Sequence, residues 1–422
     1  MLTRIALGAV VASVVLVSAC SSTSSSGAKP ISTNDADASM STDAGIPSYG
    51  PIDTTTSGLA TNVDPFIGTG DATSSAPVAN GLNGGTFPGA TTPFGMVQFS
   101  PDTPNQGPPG YHFVDTTITG FSLTHLNGAG CGALRDLPIF PNVGRPDFTK
   151  EWSDTFAHTA EVASPGFYEV KLGSGISVDL TATQRTGLGR FTFPEGSDAY
   201  VTLTGGHKAD TTLYEFTGFS AHISGNDTVT GERDGGHFCL TDSKYRVFYA
   251  LKFDRPFENF GVADKTGNAT DGARDTSDTT AQAYFRFDTT TSRIVHVKVG
   301  LSYVSSDAAM ANMNAENPNW DFDAVHAQTL ASWNGRLGKV QVEGTDDNAK
   351  KALYTGLYHT LVQPAVNSDV DGTYMGFDNQ THNDPVHPRY SNFSGWDVYR
   401  SWVHLAAILA PQETSDFVRS LM

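Results

Sequence analysis

The chain has 422 residues, with 44 Asp and Glu against 26 Lys and Arg, a formal net charge of −18 and 38% hydrophobic residues. This balance excludes nonspecific attachment to nucleic acid or to an anionic membrane face, because either partner would repel the chain. Three cysteines are too few for a disulfide scaffold.

At the N-terminus, Arg4 precedes an apolar run from Ile5 to Val17, too short to span a bilayer comfortably and typical of a signal h-region. Val17, Ser18, Ala19 and Cys20 follow the small-residue pattern of a bacterial lipoprotein cleavage site. Residues 1–19 are therefore expected to be a lipoprotein signal peptide and Cys20 the lipidated first residue. An ordinary secretory peptide cut nearby is the alternative. Either way the chain is exported, and the lipid would anchor it to a membrane at the cell surface or in the periplasm. Residues 20–60 are rich in Ser, Thr, Gly, Ala and Asp and bury too little apolar surface to offset their ordering entropy, which predicts a disordered tether. Beyond it remain roughly 360 residues, enough for two cores rather than one.

From Val63 to Thr103 the chain reads VDPFIGTG and then GGTFPGATTPFGMVQFSPDT. Glycines such as Gly68, Gly70, Gly84, Gly85, Gly89 and Gly95 open backbone conformations closed to other residues, and Pro65, Pro88 and Pro93 stiffen the same path. Such a segment is either a loop shaped for ligand contact or a string of tight turns between short strands.

Val295, Val297, Val299, Leu301 and Tyr303 alternate with His296, Lys298, Gly300 and Ser302, which predicts a strand with one buried face. Further strands are predicted at Phe167–Leu172, Ile176–Thr183, Ala199–Thr204, Tyr245–Phe253 and Ala283–Phe287. With no amphipathic helix between them, they predict an antiparallel β-sandwich over residues 61–310.

After Pro318 the period changes. Phe322, Val325, Thr329, Leu330 and Trp333 share one helical face, assigned to a linker helix within 311–344. A second helix places Ala349, Ala352, Leu353, Gly356, Leu357 and Leu361 on one face, with Asp346 as N-cap and Pro364 as stop. A third begins near Ser394 and runs through Val398, Trp402, Leu405 and Leu409 to Pro411. A fourth begins near Glu413 and is expected to be cut off at Met422.

The Val63–Thr103 segment, GYHFVD at Gly110 to Asp115 and THLNGAGCG at Thr124 to Gly132 together resemble the amino-terminal signature of family-92 glycoside hydrolases, which are exo-acting α-mannosidases. LYHTLVQPAVNSDVDGTYMGFD (Leu357 to Asp378) and FSGWDVYR (Phe393 to Arg400) resemble the start of that family's helical domain. The resemblance implies a β-sandwich followed by an α/α toroid, present here in part over residues 345–422. It implies an inverting, calcium-dependent enzyme that releases terminal mannose from glycans (α-1,2-mannosidase-like). Its acid, base and calcium ligands would lie later in the helical domain than any residue of this sequence, so no catalytic or metal-binding residue is assigned and the chain alone is expected to be inactive. Asp136, Asp369 and Asp371 are accordingly not taken as catalytic. DVDG at Asp369 to Gly372 lacks the rest of a calcium loop and is expected to be a solvated turn. The alternative is a noncatalytic carbohydrate-binding surface lipoprotein, or half of a split enzyme.

Sugar-binding residues carry over by position. Trp396 and Asp397 match the family's WD pair, with the carboxylate accepting hydrogen bonds from mannose hydroxyls and the aromatic shaping the pocket. Arg400, one turn later, either orients Asp397 or forms a simple helix-surface pair. Gly84 and Gly85 match the loop touching the terminal sugar, although relatives often have His or Asn at the position of Gly85. Cys131 lies in a segment near the sugar site, and either bridges to Cys239 or stays a free thiol. Between Thr103 and Gly110 this chain has PNQGPP where relatives often carry a stacking Trp. His112 and His125 are read as structural hydrogen-bonders rather than catalysts.

Overall fold

The computed structural model describes residues 57–70, 85–104, 109–128, 133–206, 215–238, 241–264, 266–278, 280–395 and 398–422. The expected signal peptide and nearly all of the tether fall outside these residues; the tether was expected to reach residue 60, but a helical turn already spans Gly58–Asn62, where Ala60 is buried and its amide donates to Asn334 Oδ1 at 2.9 Å.

Among the described residues, two antiparallel sheets face each other. One runs, edge to edge, β1 (Ala90–Thr91), β2 (Gln98–Asp102), β4 (Gly120–Ser122), β5 (Ile139–Val143), β10 (Ala199–Thr204), β17 (Gln282–Phe287), β14 (Asn259–Ala263) and β15 (Ala269–Asp271). The other runs β16 (Asp275–Thr276), β11 (Glu215–Ser224), β12 (Thr228–Gly236), β13 (Lys244–Phe253), β18 (Ile294–Ser302), β9 (Thr186–Thr192), β8 (Ser177–Ala182), β7 (Phe167–Leu172), β6 (Asp154–Ser164) and β3 (Thr117–Ile118). Side chains such as Phe99, Leu123, Leu180, Phe191, Val201, Leu251, Phe285 and Val297 share one continuous buried core. The predicted sandwich is therefore the fold, and the predicted strands fall on β7, β8, β10, β13, β17 and β18. Strands β6, β9, β11 and β12 were not anticipated. The sequence of β12, TVTGERDGG, has little intrinsic strand preference, and its pairing with β11 and β13 supplies what propensity does not.

The strand β18 departs from the expected single buried face. Val295, Val297, Val299 and Leu301 point into the core, but Lys298, Gly300 and Ser302 on the opposite face are also buried. The cause is a helix, α1 (Ser306–Glu316), which packs on β13 and β18 from outside. It approaches so closely that a Cβ on Gly300 would collide with the Ala309 carbonyl oxygen. Lys298 survives burial at 4% exposure by donating to Asn317 O at 2.8 Å, with its ammonium 4.0 Å from the Trp320 ring centroid. Burial lowers its pKa to about 8.

The helix α2 (Phe322–Leu337) buries the face anticipated for it, including Val325, Thr329, Leu330 and Trp333. Thr329 Oγ1 donates to Ala182 O on β8 at 2.6 Å, and Trp333 Nε1 donates to Thr91 O on β1 at 2.7 Å, tying the helix to both sheets. In α3 (Asp347–Thr360) the N-cap is Asp346, which accepts from Ala349 N at 3.0 Å as predicted. The buried face is the predicted one only in part, for Leu357 and Leu361 are buried as expected. Tyr354, Thr355, Leu357 and Tyr358 face inward, while Ala349, Ala352, Leu353 and Gly356 are exposed. Tyrosines take the inner face because the Tyr358 ring packs on Trp333, 4.5 Å between centroids, and the Tyr354 hydroxyl donates to Val340 O at 2.9 Å. Further along, a π-helical turn over Val398–Trp402 leads into α4 (Val403–Leu409). Pro411 does not merely interrupt: it opens α5 (Pro411–Leu421) at the first helical position, where its missing N–H costs nothing.

Candidate functional site

The motifs noted in the sequence converge at the junction of sandwich and helices. Gly128 N donates to Gly85 O at 2.7 Å, joining the glycine-rich loop to the THLNG segment. Gly85 is buried with φ +65°. Asn127 Nδ2 then donates to His359 O at 2.8 Å, and Gln363 Nε2 donates to His125 O at 3.1 Å. These bonds clamp the end of α3 against the same loop. Trp402 Nε1 donates to Thr360 O at 2.7 Å, bringing the segment after Phe393 to this point as well. Asn127, His359 and Gln363 were inside motifs the sequence made visible but were not singled out, since their role as clamps depends on partners more than 230 positions away.

Beneath this loop lies a cluster of buried charge. Asp136 is fully buried and accepts from Arg233 Nη1 at 2.6 Å, Tyr245 Oη at 2.9 Å and Thr124 Oγ1 at 2.5 Å. Burial pushes the Tyr245 hydroxyl well above its usual pKa. Arg135 is buried beside them, and desolvation lowers its pKa while Asp102 opposes the shift. Gly110 of GYHF adopts φ +82°, and a Cβ there would meet Asp102 Oδ1 at 2.5 Å and Arg135 Cδ at 2.8 Å, so glycine lets the loop settle on the cluster. Leu134, Arg135 and Leu137 all have positive φ, a run of strained backbone directly after the GAGCG segment. Such strain persists only where the surroundings hold it, here by buried ion pairs. Asp136 is thus committed to three protein donors.

His125 is fully buried with Nδ1 2.8 Å from Gln98 O and Nε2 3.1 Å from Ser122 Oγ and 3.2 Å from Asp102 Oδ1. It is the satisfied hydrogen-bonder that its setting predicted. The His112 amide donates to Thr103 Oγ1 at 2.9 Å. A carboxylate the sequence reading missed, Glu161, accepts from Tyr111 and Tyr168 hydroxyls at 2.8 Å each and pairs with His158 at 2.6 Å, fixing GYHF to β6.

Of the predicted sugar-binding residues, Gly84, Cys131, Trp396 and Asp397 lie outside the described residues, as do the lipidation candidate Cys20 and Cys239 of the possible bridge. Arg400 is exposed on the π-helical turn, where its Nε donates to Tyr399 Oη at 3.1 Å. In DVDG, Asp369 is buried and accepts from Ser302, Asn312 and Thr373, and Asp371 accepts from Thr373 N at 2.9 Å. Burial raises the Asp369 pKa. The segment is a turn, as expected, but of its carboxylates only Asp371 is solvated, because Ser302, Asn312 and Thr373 draw the Asp369 carboxyl into the protein.

His359 contributes pH sensitivity. Its Nε2 is sealed from solvent without a hydrogen-bond partner, and burial lowers its pKa to about 4. The unfolded imidazole, with a pKa of about 6.5, binds a proton more readily than the folded one. Stability is therefore full above that value and is lost as pH falls towards 4. Denaturation of the wild type and of His359→Phe at pH 7.5 and pH 5 is expected to show an acid-induced loss on the order of 2 kcal/mol in the wild type that the variant lacks. Equal pH dependence in both proteins would contradict this assignment.

Residues 62–302 match the Glycosyl hydrolase family 92 N-terminal domain and residues 308–422 the Glycosyl hydrolase family 92 catalytic domain. The chain belongs to glycosyl hydrolase family 92. A curated relative described as an uncharacterized secreted glycosidase, from Arthroderma benhamiae, is 25% identical over 331 residues, which cover 72% of this chain and 41% of the relative. Among solved structures, the family GH92 alpha-mannosidase BT3965 from Bacteroides thetaiotaomicron superposes with a TM-score of 0.77 at 26% identity, over 86% of this chain and 49% of its own. The same enzyme has been solved with mannoimidazole. The GH92 family glycosyl hydrolase ccman5 superposes with a TM-score of 0.75 at 25% identity, over 86% of this chain and 48% of its own. The chain thus spans less than half the length of each of these relatives.

Proposed function

We propose that this chain serves in the removal of terminal mannose from α-mannosides outside the cell, by inversion and with calcium, as the family resemblance implies. The observation that carries the reading is the order and extent of the two family matches over one continuous fold, together with a superposition on an alpha-mannosidase. The convergence of Gly85, Asn127, His359 and Trp402 at one junction supports it by giving the sugar loop a rigid seat. In this reading Trp396, Asp397, Gly84 and Gly85 hold the terminal sugar, with Arg400 alongside, and the lipid on Cys20 keeps the enzyme at a membrane. The secreted description of the fungal relative supports export. Among the described residues no helix is long and apolar enough to cross a membrane.

Inverting hydrolysis needs one carboxylic acid to protonate the leaving oxygen and a second carboxylate to activate water, roughly 6.5 to 9.5 Å apart. The described residues offer no group of three or more His, Cys, Asp or Glu suited to a cation, and Asp369 and Asp371 are committed to protein donors. They do not fit a calcium site. We place the acid, the base and the calcium ligands beyond the residues described. A purified polypeptide of these 422 residues is accordingly expected to release no mannose from α-mannosides with or without added calcium, while binding mannose-containing glycans through the junction. Calcium-stimulated mannose release by that polypeptide would overturn the placement of the machinery. Failure to bind any mannoside, with binding of another sugar instead, would overturn the substrate.

A further inference from the structure

A concave surface lies on the sandwich, lined by none of the residues named at the junction. The registers of β11, β12 and β13 place Ser220 opposite Glu232 and Glu232 opposite Phe248, while His222 stands opposite both Thr230 and Asp275 of β16. The intervening residues Ala221, Ile223, Val229, Val247 and Tyr249 are buried in the core, so the first set shares the outer face. The helix α1 covers this face over β13 and β18, and Ser306 Oγ at its start donates to Gly231 O at 2.9 Å. The helix and β16 therefore form two walls, and between them is a groove of about 610 Å³.

The chemistry of the groove narrows its ligand. Phe248 offers a half-buried aromatic ring, amid hydroxyls and carboxylates that accept hydrogen bonds. Its carboxylates already have protein partners. His222 Nδ1 lies 2.6 Å from Asp275 Oδ1, and Arg246 reaches Glu232 at 3.4 Å and sits 5.9 Å from the Phe248 ring centroid. A strongly charged ligand would have to break one of these pairs, and the net charge of −18 disfavours an anionic one further. A pyranose has the complementary surface: an apolar face for the ring and neutral hydroxyls that donate to paired carboxylates. The volume falls in the range that accommodates a small ligand.

We infer that this groove is a binding site for a neutral oligosaccharide, separate from the junction and independent of whether the protein cleaves mannosides. Titration calorimetry of the 422-residue polypeptide against neutral oligomers of mannose, glucose and xylose, with oligogalacturonate as the anionic comparison, tests it. At least one neutral series is expected to bind. Phe248→Ala should weaken that binding by about tenfold through loss of stacking, and Glu232→Gln should weaken it several-fold while leaving the unfolding midpoint unchanged. Asp397→Asn should leave it intact. Should Phe248→Ala fail to fold, Glu232→Gln, a surface change of equal size, carries the test. Binding of the anionic oligomer alone, or of no neutral series, overturns the inference. So does binding indifferent to both groove variants but lost in Asp397→Asn, an outcome that would leave the junction reading standing. Loss in the groove variants supports the groove whichever neutral series binds, and leaves the reading of the junction untouched.

Discussion

Asp136→Ala is expected to lower the stability of the sandwich by about 3 to 5 kcal/mol, because it strands a buried guanidinium. Arg233 and Asp136 are both fully buried, 2.6 Å apart, and Tyr245 and Thr124 direct their hydroxyls at the same carboxylate. Removing the carboxylate leaves a buried guanidinium that keeps its bonds to Gly205 O and the Tyr245 hydroxyl but loses its counter-charge, and takes the acceptor from two buried hydroxyls, which accounts for the size of the effect. Since domains of this kind are stable by about 5 to 15 kcal/mol, the loss should appear as a large drop in the urea midpoint. Replacing both partners, as in Asp136→Leu with Arg233→Met, is expected to recover much of it, because the pair is costly to break and far less costly to substitute whole. A single variant within 1 kcal/mol of the wild type would mean that water or backbone takes over the role of Asp136. The strained run at Leu134, Arg135 and Leu137 brackets Asp136, so losing its pairs also releases what holds that backbone.

Trp333→Ala is expected to cost about 3 to 5 kcal/mol, as for a large buried aromatic. Trp333 is fully buried, packs with its ring centroid 4.5 Å from that of Tyr358 at a tilt of 46°, and donates its indole N–H to Thr91 O of β1. It is therefore the point at which α2, α3 and the sandwich share one contact. Trp333→Phe fills most of the space but orphans the Thr91 carbonyl, so it should cost about 1 to 3 kcal/mol. Denaturation followed by circular dichroism distinguishes the two. If the two variants are equally destabilised, the hydrogen bond rather than packing holds the helices to the sheets, and the cavity argument fails.

The same contact explains what was legible beforehand. The period-two runs at Phe167–Leu172 and Ala199–Thr204 and the helical face of α2 were visible because alternation and 3.6-residue spacing are local properties. The glycine, GYHF and THLNG segments stood out by composition, and they do meet at one junction. On α3 Leu357 and Leu361 are buried as expected, but Tyr354 and Tyr358 take the places expected of Ala349, Ala352 and Leu353, because Trp333 packs on the Tyr358 ring and Val340 O accepts from the Tyr354 hydroxyl. Lys298 and Gly300 read as a solvated face because nothing in their own strand announces that α1 will cover them. The clamps His359 and Gln363, and the acceptors Glu161 and Asp136, were silent for the same reason.

By itself, then, the sequence determined the kind of elements, their order, the sandwich-to-helix transition near Pro318 and membership of a glycosidase family, all encoded in short-range periodicity and motif. Only the tertiary structure decided which faces are covered, which carboxylates are structural anions, and that the glycine loop, the end of α3 and Trp402 form one seat. Burial and ion pairing depend on contacts between residues hundreds of positions apart, and those contacts exist only once the sheets and helices have packed.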